Sequence, residues 1–176
     1  MGDVSDDPGV QAARALLGAA AAALADADVR DEALGVYESA KTRLGVRRDA
    51  IIRQTGRVWR LGALLLDRSG SVWATAAITR VTDPGRSQFV ARSMELRRAY
   101  RAAAVRGRIP FGDTVNHGAV AIPLDDSLIG ATGPLFVRDG APYVRWSPTS
   151  DVAVPLADYL RDRVELLLHP PQGSTD

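Results

Sequence analysis

The chain is 176 residues long, 46% hydrophobic and 24% charged, which suffices for one domain, or one domain with a helical extension, whose core needs no covalent staples. Cysteine is absent, and this excludes disulfides, thiolate zinc sites, iron–sulfur ligation and cysteine nucleophiles. The net charge of +1 hides a segmentation, since residues 1–40 sum to −6, residues 41–108 to +12 and residues 109–176 to −5.

A basic middle between acidic ends implies either a positive face for an anionic partner or ion pairing between segments. Exposed pairs contribute only ~0–1 kcal/mol each. Of the 22 basic residues only Lys41 is lysine, so the number of arginines is by itself a weak sign of phosphate recognition.

Residues 1–7 are expected to be disordered, and Asp7-Pro8 then supplies a cap followed by proline at the first helical position. Val10, Ala13, Leu16, Leu17, Ala20 and Leu24 recur at helical spacing and predict one apolar helix face. The apolar run Ala15–Ala25 spans about half of the ~20 residues a bilayer requires, and acids rather than bases precede it. A cytoplasmic protein without a membrane span is the expectation. A second helical pattern begins near Asp31, with Leu34, Tyr37, Ala40, Leu44 and Ile51 on one face and Gly45 as a possible break. Residues 8–56 therefore read as N-terminal helices, able to form a helical hairpin or a dimer interface.

From Val58 to Leu66 and from Val72 to Val81 the composition is that of strands, and Asp67-Arg-Ser-Gly70 is turn chemistry. The unbroken run Leu61–Leu66 implies a strand covered on both faces. Asp83-Pro-Gly85 ends the second strand. Residues 86–106 read as a helix with Phe89, Ser93, Leu96, Tyr100 and Ala103 on a narrow face. Its cations split between two flanks, Arg97, Arg98 and Arg101 on one and Arg92 and Arg106 on the other. Gly107 marks its stop. Short strands follow at 118–124 and on either side of Asp139-Gly140, a tight-hairpin signal, with Ser147–Asp151 as loop. Pro155–Leu168 closes the chain as an amphipathic helix through Leu156, Tyr159, Leu160, Val164 and Leu167, and residues 170–176 read as a loose tail.

These elements predict an α+β fold: a mainly antiparallel sheet of about five strands packed with helices over 57–169, preceded by a helix or helical hairpin, in the order α-α-ββ-α-βββ-α. After the first helix that order resembles the topology of roadblock-like and profilin-like domains. The resemblance implies a protein that scaffolds partners or dimerises rather than one that catalyses.

The chemically densest stretch is Asp113-Thr-Val-Asn-His117, where a carboxylate, an amide and an imidazole fall within five residues. A histidine oriented by an aspartate is a general base, which makes Asp113, Asn116 and His117 the weak catalytic candidates. The competing expectation is a loop shaped by Asp113 and Asn116, with His117 on the surface. No metal is expected, because the only other imidazole is His169 and no HExxH spacing exists. Gly130-Ala-Thr-Gly133 lacks the rest of a phosphate loop, and no serine sits in a GxSxG elbow. No cofactor follows from any motif.

The leading expectation is a non-catalytic binding or scaffolding domain that homodimerises or takes a protein partner. The alternative is an anion-binding protein, for nucleotide or nucleic acid, using segment 41–108 with Arg97, Arg98 and Arg101 as ligand-binding residues. A third is an enzyme with its site at 111–118.

Overall fold

In the computed structural model, residues 7–43, 45–83, 92–146 and 152–171 are described, with the side chains of residues 43, 46 and 92 set aside. The expectations for residues 1–6, for Leu44, Pro84–Gly85, Phe89, the start of the arginine-rich helix, Ser147–Asp151 and the last five residues lie outside that set.

The chain forms two compact units, 1–31 with 59–75 and 120–176, and 32–58 with 76–119. Among the described residues there are three α-helices and a large mixed sheet, so the α+β class holds. The sheet is larger than expected and partly parallel, with the hydrogen-bonded order β7-β8-β1-β4-β5-β6-β9. Its strands are β1 (Glu32–Glu38), β4 (Ile51–Leu61), β5 (Leu64–Leu66), β6 (Val72–Ala74), β7 (Ala77–Arg80), β8 (Thr114–His117) and β9 (Val120–Ile122).

In the first unit, α1 (Pro8–Asp26) starts as anticipated: Asp7 Oδ1 accepts the Gly9 and Val10 N–H groups at 2.9 and 3.0 Å. Its expected apolar face is buried apart from the half-buried Leu16. α3 (Leu156–Leu168) buries Leu156, Tyr159 and Leu160. Both helices share a core with Trp59, Leu61, Leu64, Leu66, Val72 and residues of a separate three-stranded sheet. That sheet comprises β10 (Leu135–Arg138), β11 (Ala141–Arg145) and β12 (Ala153–Pro155). Asp139-Gly140 turns β10 into β11, with φ of 51° and 70° at the two residues, as a tight hairpin of this sequence demands. Pro142 nevertheless pairs with Val137 in register.

The run Leu61–Leu66 is not one strand. It turns at Gly62-Ala63 between β4 and β5, where Gly62 has φ 71°, a conformation that side chains disfavour. The Tyr159 hydroxyl fixes this turn by donating to the Leu61 carbonyl and accepting the Ala63 N–H. Burial pushes the Tyr159 phenol above its ordinary pKa, as expected where ionisation would place a charge in the core.

The second unit departs most from expectation. The helical pattern from Asp31 to Gly56 is instead β1, β4 and, between them, the two-stranded ribbon β2 (Lys41–Arg43) and β3 (Val46–Arg48). β1 is an interior strand, antiparallel to β4 on one side and parallel to β8 on the other. Tertiary pairing therefore overrides whatever helical preference its Glu, Ala and Leu residues have. The segment read as the loop 111–118 likewise contains β8, paired with β1 and β7. α2 (Arg92–Arg106) packs Ala103 and Ala104 into a second core with Ala33, Ile52, Val81, Ile109 and Val115. Leu96, expected on its buried face, is exposed. Gly107 ends the helix, its N–H bonded to the Ala103 carbonyl.

Candidate functional site

β8 carries all three weak catalytic candidates or their immediate flank, and strand geometry distributes them. Successive side chains alternate between faces, so His117 shares a face with Val115 and Asn116 points the opposite way. His117 is 2% exposed, a buried residue and not the surface one anticipated. Its Nε2 lies 3.1 Å from Thr79 Oγ1, and the Tyr100 ring covers it at a centroid distance of 4.6 Å. Tyr37 completes the group, meeting Tyr100 edge-on at 5.2 Å and His117 at 6.4 Å. Burial holds the imidazole below its ordinary pKa, because a charged ring would lose its hydration.

Asn116 donates to Glu32 Oε2 at 2.6 Å and sits 3.5 Å from the Ala33 carbonyl. Asp113 pairs with Arg57 through Oδ2 at 2.9 Å and accepts the Thr114 N–H through Oδ1 at 3.1 Å. The three candidates thus engage three different partners and do not converge on one reacting centre. Asp113 does not orient His117, which is where the sequence pairing of the two led. Among the described residues no group of three or more His, Cys, Asp or Glu side chains converges as metal ligands would.

Of the three ligand-binding candidates on α2, Arg98 is paired with Glu95 at 2.8 and 3.2 Å. That hydrogen bond lowers the Glu95 pKa. Arg97 and Arg101, four residues apart and so on one side of the helix, have no carboxylate partner among the described residues. Arg106 is structural, donating from Nε to the Ala50 carbonyl at 2.7 Å.

The feature that sequence reading missed is the ribbon β2–β3. Its register places Lys41 directly opposite Arg48 and Thr42 opposite Arg47. All four are exposed, and residues 41–48 contain no acid. The nearest carboxylates in sequence are occupied elsewhere or weakly placed. Glu38 is bonded to Arg53 at 2.8 Å, and Asp49 is 3.8 Å from Arg47, with both side chains largely in solvent. Like charges facing each other across strands oppose pairing, yet neither Lys41 nor Arg48 has a neutralising partner among the described residues. The available sequence signal was Gly45, which has φ 77° in the connecting turn; with the β-branched Thr42 before it and Val46 after it in the sequence, it marks a hairpin as readily as a helix break.

The division into units also sorts the charge. Residues 32–58 and 76–119 hold fourteen basic and six acidic residues, net +8, while the remainder holds eight and fifteen, net −7.

In the acidic unit, an open groove beside Arg14, Ser69, Ser71 and Trp73 offers polar groups that already have local partners. Arg14 donates to the Leu124 carbonyl, and Asp67 Oδ1 takes the Ser69 and Ser71 N–H groups. Among the described residues no helix is long and apolar enough to cross a membrane. Comparison with family models, curated proteins and solved structures finds no match.

Proposed function

We propose that the chain is a binding protein whose basic unit, residues 32–58 and 76–119, takes a phosphate-bearing anion, nucleotide or nucleic acid. The observation that carries this reading is the coincidence of charge with structural unit: +8 within one compact body and −7 in the other. A chain whose cations merely decorate its surface has no reason to concentrate them in one folding unit. Self-repulsion on that scale costs stability and is offset by binding an anion.

Lys41, Arg48, Arg97 and Arg101 supply cations with no carboxylate partner among the described residues. This moves anion binding ahead of the scaffolding and homodimer expectation, which among the described residues has only scattered exposed apolar side chains such as Phe111 and Val120 behind it. Catalysis by Asp113, Asn116 and His117 falls behind both, because each of the three side chains has its own partner.

The reading is tested by titrating the protein into a fluorescent oligonucleotide of about 20 nucleotides at about 50 mM and about 200 mM salt. Affinity should be measurable at the lower salt and fall by tenfold or more at the higher, through counterion release. No binding at either salt, or binding indifferent to salt, refutes it.

A further inference from the structure

Resting on that reading, we infer that the ribbon formed by β2 (Lys41–Arg43) and β3 (Val46–Arg48) is the element that enters a groove of duplex nucleic acid and contacts phosphates on both of its walls. Three observations support this in order. The first is its form: β2 and β3 pair only with each other, as a separate two-stranded sheet between β1 and β4. A two-stranded ribbon has a spacing of about 4.8 Å between its strands and fits a major groove about 12 Å wide.

The second is its charge. Lys41 and Arg48 are opposed in register with no carboxylate partner among the described residues. An arrangement that opposes the ribbon's own pairing is relieved by an external anion, and phosphate rows provide one.

The third observation separates a groove from a flat anionic surface. Alternation along the strands puts Lys41 and Arg48 on one face of the ribbon, and Thr42 and Arg47 on the other. A membrane or an acidic peptide strip would need cations on one face only. A groove has two walls and uses both.

The root of the ribbon is held in place within the same unit. Arg106 at the end of α2 donates to the Ala50 carbonyl, and Gly107 packs so closely on the Ile52 carbonyl that a Cβ there would lie 1.9 Å from the oxygen. Glu38 and Arg53 bridge the two strands that lead into it. The ribbon therefore extends from a fixed base, which lowers the ordering cost of binding.

The test compares salt slopes for a DNA duplex of about 20 base pairs among wild type, K41Q/R47Q/R48Q, R47Q alone, and R97Q/R101Q/R108Q. Each phosphate contact contributes about −0.9 to the slope of log K against log salt. The ribbon triple variant should bind more than tenfold more weakly at low salt and lose roughly 2–3 in slope, and R47Q alone should lose about 0.9. The α2 variant, with equal charge removed, should lose at most the ~1.8 that two contacts from Arg97 and Arg101 would carry, and less than the ribbon variant.

All four ribbon positions are exposed, and removing the Lys41–Arg48 repulsion should leave the thermal midpoint unchanged or higher, which a melting curve checks for each variant. Equal losses in the two triple variants, or an unchanged slope for R47Q, overturn the ribbon as the groove element while leaving anion binding intact. Wild-type binding to vesicles containing anionic lipid, in the absence of binding to duplex DNA or RNA, also overturns it. Failure of wild type to bind any phosphate-bearing probe removes the underlying reading instead.

Discussion

His117 illustrates how one buried titratable group shapes the behaviour of its unit. It is enclosed by Tyr100 and Tyr37 and tied to Thr79, and burial lowers its pKa from an ordinary value near 6.5. The unfolded chain therefore takes up a proton as pH falls through about 6.5, whereas the folded chain does not until a lower pH. The stability linked to neutral His117 is complete above that point and is lost as pH drops below it. Wild type should show a larger drop in denaturant midpoint between about pH 7.5 and pH 5 than H117Q, which cannot protonate. Equal drops would show that the imidazole is not the linked group. The sequence marked Asp113, Asn116 and His117 because their chemistry is dense. What it did not convey is that strand alternation sends Asn116 to one face and His117 to the other. Had 114–117 been read as a strand, the inward set Val115 and His117 was available from period two alone.

Elements were legible where local signals and tertiary demands agree. α1 has its Asp7 cap, Pro8 start and apolar stripe, α3 has its stripe, and the β10–β11 turn has Asp139-Gly140. β1 and residues 51–57 of β4 were missed, although the two strands pair with each other across a short connection; the other partner of β1 is distant in sequence. β8 lies about eighty residues from β1, in register Ala33–Val115 through Gly35–His117, and nothing local announces a parallel partner.

Glycines report the same contrast between local and tertiary control. Gly18, in α1, has no atom within 4 Å of a built Cβ, whereas at Gly107 a Cβ would meet the Ile52 carbonyl. Gly18→Ala should stabilise by about 0.5–1 kcal/mol through helix propensity. Gly107→Ala should destabilise by about 1–3 kcal/mol or more, through overpacking against backbone. Urea midpoints at constant m-value measure both; a neutral Gly107→Ala would contradict the close seat of α2 on β4.

For the whole molecule, the division of charge is the organising fact. The sequence showed a basic middle segment of +12, and folding keeps most of that excess in one body. Residues 57–60 and 67–68, which belong to that basic segment, divide between the units, yet the unit containing β1–β3, most of β4, β7, α2 and β8 retains +8. Segment sums were readable from the sequence; their assignment to bodies was not, because each unit is assembled from separate stretches of chain.

The most direct measurement of the central claim is hydrogen exchange of the full chain with and without a DNA duplex of about 20 base pairs at low salt. The account predicts slowed exchange within residues 32–58 and 76–119, most of all over Lys41–Arg48, and little change over α1, α3 and β10–β12. Protection confined to the acidic unit, or none anywhere at saturating duplex, would contradict it.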